Sequence, residues 1–308
     1  MKAPRPIISR PLPSRAVIEQ FGGIDPLHAR LYAMRGLTVL DELDYSLARL
    51  APVSALENID DAAELVIANR GKRIIIVGDY DVDGATSTAL VIRCLREFGF
   101  TDVDYLVPNR FEYGYGLSRE IVRVAAQRKP ALLITVDNGV SSVEGVQEAN
   151  DLGMQVLVTD HHLPGDELPG AATILNPNLK GSSFPSRNLA GVGVAFYLVA
   201  RIGRLLEEQG APGAAKVPAK YLDLVALGTV ADVVPLDHNN RILVQQGLTR
   251  IRAGRTVPGI KALLQQSGRQ MARCVSTDLG FAVGPRINAA GRLEDISVGI
   301  ECLLTDDD

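Results

Sequence analysis

The sequence predicts an α/β protein, a doubly wound and mostly parallel sheet with helical segments before and after it. Three observations predict it. Short apolar runs recur at 73–78, 131–136 and 155–159, with a more mixed run at 103–107 and a brief one at 173–175. Stretches with helical spacing lie between them, and from about residue 190 onward the pattern is mostly helical. Continuously apolar strands are those covered on both faces, and parallel neighbours need a crossover between them.

The elements follow in order. Residues from about 14 to 70 read as short helices with breaks near Gly22-Gly23 and Ala51-Pro52, and Asp60 or Asp61 could cap the helix that runs to Asn69. After the strand at 73–78, residues 85–98 place Leu90, Val91, Cys94, Leu95 and Phe98 at helical spacing. Helices at 119–128 and 143–152 separate the next strands, and further helices are expected at 192–209, 219–233, 240–253, 258–266 and 295–304. On this reading the chain divides into an N-terminal arm and helical segment (1–70), an α/β core (71–236) and a helical segment (237–308).

Composition narrows the function classes. The 308 residues include 32 Lys+Arg against 36 Asp+Glu, a formal charge of −4, with 22% charged and 46% hydrophobic residues. That is an ordinary globular balance and excludes a disordered or collagen-like chain. The longest apolar run, 131–136, is far short of the ~20 residues that span a bilayer, so no membrane partner is expected. Cys94, Cys274 and Cys302 form neither a disulfide framework nor a zinc-site spacing, which favours a cytoplasmic setting. Pro4, Pro6, Pro11 and Pro13 suit a flexible arm better than a signal peptide. The weak acidity is compatible with a nucleic-acid partner, because a local basic groove can coexist with it. With no Trp, base stacking would rest on a few Tyr, Phe or Arg residues.

In an open parallel sheet, ligands bind at the carboxyl ends of the strands. The first apolar strand leads into Asp79-Tyr80-Asp81-Val82-Asp83-Gly84, a later one into Asp137-Asn138-Gly139, and the next into Asp160-His161-His162. One Asp at a strand end is commonly a turn former or helix cap. Three alternating acids in 79–83, joined on the same edge by two more acids and two imidazoles, repel one another unless a cation sits among them. Carboxylates with imidazoles and without thiolates suit Mn²⁺ or Mg²⁺. An Asp that bridges two ions holds them ~3.5–4 Å apart, the spacing of two-metal phosphoryl hydrolysis. The helix opening at 83–88 adds N–H groups that face an anion. Asp232, isolated in the apolar run 227–235, is a further candidate, since a buried acid needs a partner. His28 and His238 have no such setting and read as surface residues.

Taken in order, Asp79–Gly84, Asp137-Asn138-Gly139, Asp160-His161-His162 and Gly228-Thr229-Val230-Ala231-Asp232 resemble the four motifs of the DHH phosphoesterase superfamily. Three more segments, 108–116, 189–195 and 284–292, resemble its branch of single-stranded-DNA-specific 5′→3′ exonucleases of recombination and mismatch repair. The likeness runs from about residue 20 to the last residue.

The resemblance implies two divalent ions, Mn²⁺ or Mg²⁺. Asp81 and Asp137 would hold one, with Asp79 in or beside that site. Asp83, Asp137, His161 and Asp232 would hold the other, Asp137 bridging. Asp160 would orient an imidazole, and His162 would touch the scissile phosphate or protonate the leaving group. Some relatives carry a His where this chain has Val77, which leaves the first ion fewer ligands. Arg110 would recognise a phosphate or 5′ end, Tyr113 and Tyr115 could stack on bases or serve plain turns, and Arg286, Asn288 and Arg292 suit phosphates and the site carboxylates. The implied partners are single-stranded DNA with a 5′ end, a single-strand-binding protein and a helicase. The branch carries further domains, so the expected core would lead toward a second domain absent here. Hydrolysis of short oligonucleotides or cyclic dinucleotides is the alternative within the superfamily.

Overall fold

The computed structural model describes residues 11–107, 116–293 and 295–307. The residues up to Arg49 form one compact unit and those from Leu50 onward another. In the first, Ser14 caps α1 (Arg15–Glu19) and the Asp25 carboxylate accepts the Leu27 and His28 N–H groups to start α2 (Pro26–Ala33). Phe21, Ala29, Ala33 and Leu37 form its small core.

The second unit starts with a 3-10 turn (Val53–Ala55) and α3 (Ile59–Ala68). Asp60 and Asp61 fall in the first turn of α3, where acids favour the positive helix end, while Asn58 holds the cap position in a left-handed conformation. Five parallel strands, β1 (Ile74–Gly78), β2 (Val103–Leu106), β3 (Leu132–Val136), β4 (Gln155–Thr159) and β5 (Thr173–Leu175), lie in the order β2-β1-β3-β4-β5. The expected doubly wound sheet is therefore present. The chain reverses its direction of travel between β1 and β3, the place where such sheets open a crevice at their carboxyl ends.

Side-chain alternation explains the two covered faces. Ile75, Val77, Leu133, Val156 and Val158 pack with α5 (Arg119–Ala126) and α6 (Val143–Asp151). Ile74, Ile76, Leu132, Ile134 and Leu157 join a larger cluster with α3, α4 (Val82–Glu97), α7 (Gly191–Glu208) and α8 (Leu222–Ala231). The same cluster continues through α9 (His238–Arg252), α10 (Pro258–Gln266), α11 (Gly284–Leu293) and α12 (Ser297–Leu304). α4 begins at Val82, ahead of the start suggested by apolar spacing, because the Asp81 side chain accepts the Gly84 N–H at 3.0 Å and caps it.

Two further differences have physical causes. α11 carries no helical sequence pattern, because its glycines serve contact rather than helix propensity: a Cβ at Gly291 would lie 2.9 Å from the Tyr80 carbonyl oxygen. His238, expected at the surface, is half-buried at the start of α9. Arg93 joins α12 to α4, its buried guanidinium donating to the carbonyls of Leu303 at 2.9 Å and Thr305 at 2.8 Å and pairing with Asp306 at 2.8 Å. Among the described residues no helix is long and apolar enough to cross a membrane.

Candidate metal centre

The first acidic loop is shaped by close backbone approach. A Cβ at Gly78 would lie 2.4 Å from Thr88 Oγ1, and one at Gly84 would lie 2.4 Å from the Asp79 carbonyl oxygen. Glycine at both positions lets β1 run directly into α4 and folds Asp79, Asp81 and Asp83 against the sheet edge. Asp79 is buried and accepts its neighbour Tyr80's N–H at 2.8 Å. Asp83 accepts two backbone N–H groups from the start of α7, Gly191 at 2.6 Å and Val192 at 2.9 Å, so a helix N-terminus faces its charge.

β3 delivers Asp137 in a left-handed turn, φ 62°, followed by Gly139 at φ 112°. Asn138 ties the two strand ends together by donating to the carbonyls of Val77 at 3.0 Å and Val136 at 2.9 Å. β4 delivers Asp160, whose carboxylate accepts the N–H groups of Val140 at 2.8 Å, His161 at 2.7 Å and His162 at 3.1 Å. Its Oδ1 also lies 2.7 Å from His162 Nδ1. The two imidazoles stand with ring centroids 4.5 Å apart. Asp232 follows the last turn of α8 and reaches the same place.

His161 Nε2 lies 3.1 Å from Asp137 Oδ1 and 3.6 Å from Asp232 Oδ2. All three atoms are buried and make no hydrogen bond. Two carboxylate oxygens and an imidazole nitrogen so placed fit a shared cation, and leaving them unpaired is costly. Among the described residues three sets offer donor atoms all within 4.8 Å of one another: Asp79, Asp81 and Asp137; Asp83, His161 and Asp232; Asp137, His161 and His162. Asp137 belongs to two of them. The donors are oxygens and imidazole nitrogens, suited to Mn²⁺ or Mg²⁺.

The titration behaviour follows from crowding. Burial, then the neighbouring Asp81, push the Asp79 carboxyl up to about 7. Burial drives Asp83 and Asp137 well above the usual carboxylate range, with Asp232 adding to the first and Asp83 to the second. Burial also raises Asp232, although His161 opposes it. Asp160 is the exception: burial alone would raise it, but the His162 imidazole and the backbone donors outweigh this and hold it below the ordinary value. The bond to Asp160 in turn raises His162, whereas burial lowers His161.

Other candidates fall differently. Asn288 accepts the Val82 N–H at 3.1 Å and so supports the acidic loop. Arg286 is exposed and donates to the Ala282 carbonyl at 2.6 Å. Val77 packs in the apolar cluster of the opposite sheet face. Arg110, Tyr113 and Tyr115, and the side chain of Arg292, lie outside the described residues.

Several contributors were not singled out from the sequence. Asn176 and Asn178, just past β5, donate to the carbonyls of His162 at 2.9 Å and His161 at 2.6 Å. They follow β5 as the acids follow β1, β3 and β4, so the same strand-end position marks them in the sequence. Gly191 approaches so closely that a Cβ there would lie 2.6 Å from Asp137 Oδ1, and one at Gly228 would lie 2.9 Å from Asp83 Oδ1. Both stand in segments quoted above for the resemblance, 189–195 and 228–232, where the glycines are the visible signal.

Fold and site together define a class: a doubly wound α/β protein whose strand ends assemble carboxylates and imidazoles suited to hard divalent cations. The model of the DHH family, N-terminal domain, matches residues 73–229, and the chain belongs to the DHH family. The single-stranded-DNA-specific exonuclease RecJ of Escherichia coli K12 is 54% identical over 289 residues, covering 92% of this chain and 50% of that protein. The crystal structure of RecJ in complex with Mn²⁺ from Thermus thermophilus superposes with a TM-score of 0.81 at 34% identity, covering 96% of this chain and 42% of that one. A crystal structure of exonuclease RecJ bound to manganese gives 0.72 at 37% identity, covering 82% and 62%. The chain spans about half the length of curated relatives that it matches.

Proposed function

We propose that residues 71–236 form a catalytic core that hydrolyses phosphodiester bonds of single-stranded DNA from the 5′ end, serving DNA repair and recombination. The observation that carries this is the meeting of the unpaired buried atoms Asp137 Oδ1, His161 Nε2 and Asp232 Oδ2 at a strand-end crevice. The Escherichia coli relative named above is a single-stranded-DNA-specific exonuclease, and two of the solved relatives hold manganese. Asp83, Asp137, His161 and Asp232 would hold one divalent ion; Asp79, Asp81 and Asp137 would hold a second. The ions would supply a water of lowered pKa and neutralise charge on the attacked phosphate.

The chain's own residues do the rest. Asp160 fixes the His162 ring through Nδ1, so proton exchange with the leaving oxygen runs through Nε2. Backbone donors at the start of α7 keep Asp83 in place, and Asn138 locks β1 to β3. Arg110, Tyr113, Tyr115, Arg286 and Arg292 are proposed DNA contacts. A single-strand-binding protein and a helicase are proposed partners, and free Cys94, Cys274 and Cys302 suit a cytoplasmic protein.

The test is Mn²⁺-dependent digestion of 5′- and 3′-labelled single strands. Stepwise release from the 5′ end is expected, with Asp137→Ala inactive. Undiminished turnover in that variant refutes the reading. Degradation confined to di- to pentanucleotides would favour the short-oligonucleotide alternative instead.

A further inference from the structure

Large apolar side chains stand in solvent next to the metal-centre residues. Leu163, which follows His162, is 79% exposed; Val233, which follows Asp232, is 83% exposed; and Phe281 is 82% exposed. Val233 also holds φ 66°, a left-handed conformation costly for a β-branched residue. With Val230, Val234 and Leu236, Val233 and Phe281 line a groove of about 290 Å³. Apolar side chains gathered around one groove offer a surface that an apolar face of a ligand can cover.

The groove adjoins a metal-centre residue along the chain. Thr229, Val230 and Val233 line it, while Asp232, between the last two in sequence, points Oδ2 at His161. Phe281 lies on a single π-helical turn, Leu279–Val283, a distortion frequent at functional sites. That turn is seated on α8, since a Cβ at Gly280 would come within 3.1 Å of Val230 Cγ1. The backbone is thus fixed while the Phe281 ring projects outward.

The lining chemistry selects the occupant. None of the described lining residues is charged, so neither a phosphate nor an ionic side chain is matched. Ser276 and Thr277 bring hydroxyl side chains to the lining, whereas Thr229 Oγ1 is buried with no hydrogen bond. An open aromatic face, an aliphatic wall and a few hydroxyls suit a flat group with an apolar face and polar rim. A phosphodiester held at the adjacent centre carries such a group on its own sugar.

We propose that this groove seats the nucleobase of a nucleotide flanking the scissile phosphate, stacked on Phe281 against Val233. The proposal rests on the exonuclease reading above and adds a base-binding element to it. Stacking is sequence-tolerant, because every base has a π-face, so the groove would reward the presence of a base rather than its identity.

Two measurements test it. Single strands bearing 5-iodouracil beside the cleaved bond, irradiated with the chain in Ca²⁺, should cross-link to the peptide 274–284. In Mn²⁺, the kcat/KM preference for a base-bearing over an abasic terminal nucleotide should fall about tenfold or more in Phe281→Ala, mainly through KM, and be retained in Phe281→Tyr. An unchanged preference or a cross-link elsewhere overturns the proposal. So does a Phe281→Ala chain with a lowered melting temperature or altered oligomeric state, which would give the ring a packing or self-association role. Cross-linking needs no turnover, so a chain that hydrolyses neither strand sinks the exonuclease reading while the cross-link still decides the groove.

Discussion

The backbone N–H of Gly191 donates to Oδ2 of Asp83 at 2.6 Å, joining residues 108 positions apart. The same glycine gives Asp137 its room, since a Cβ there would sit 2.6 Å from both Cβ and Oδ1 of that residue. Gly191→Ala should therefore act on two carboxylates at once. A stability loss of about 1–3 kcal/mol is expected from overpacking, together with at least a tenfold weaker Mn²⁺ affinity by calorimetry. Gly193→Ala, whose Cβ would meet the flexible end of Leu189, is the control and should bind Mn²⁺ normally.

Asp160→Asn keeps the shape of the side chain and removes its charge. The Asp160 carboxylate receives three backbone N–H groups and the His162 ring, and an amide cannot accept all four. Loss of an orienting carboxylate costs about 10–100-fold, and here it should appear in kcat more than in KM. A variant with wild-type kcat would exclude the orienting role.

Metal affinity should rise with pH. Asp79 has its pKa raised from 3.8 to about 7 by burial and by Asp81. The folded chain without metal thus keeps a proton that the unfolded chain loses near pH 4. The stability from this group is full below that pH and is lost as pH climbs toward 7. Asp83 and Asp137 shift in the same direction, whereas Asp160 runs the opposite way and loses its contribution on acidification. A cation binds the ionised form and displaces the proton. Mn²⁺ should consequently raise the melting temperature more at pH 8 than at pH 5.5, and equal shifts at the two values would contradict the assignment.

Arg93→Met should separate buried from exposed electrostatics. The Arg93 guanidinium satisfies the carbonyls of Leu303 and Thr305 from a buried position, whereas the paired Asp306 side chain is 86% exposed. Removing the arginine should cost about 1–3 kcal/mol in urea unfolding, because the buried Leu303 carbonyl and the partly buried Thr305 carbonyl lose their donor. Asp306→Ala should cost less than about 1 kcal/mol. Equal losses would mean the surface pair, rather than the carbonyls, anchors α12.

The sequence by itself determined the sheet and the chemistry offered at its edge. Strand alternation and helix spacing are local patterns, so β1, β3 and β4 were legible, and with them Asp79, Asp81, Asp83, Asp137, Asp160, His161 and His162. The resemblance also grouped Asp232 and Asn288 with them, but the contacts that hold these residues in place were not legible. The tertiary structure decided that the start of α7 meets Asp83, that α8 ends with Asp232 facing His161, and that α11 supports the acidic loop through Asn288. Such meetings depend on how closely distant backbones approach, at Gly191, Gly228 and Gly291, and a close approach leaves no periodicity in the chain. The same holds for Phe281 and Val233: only packing shows that their side chains are left open to solvent.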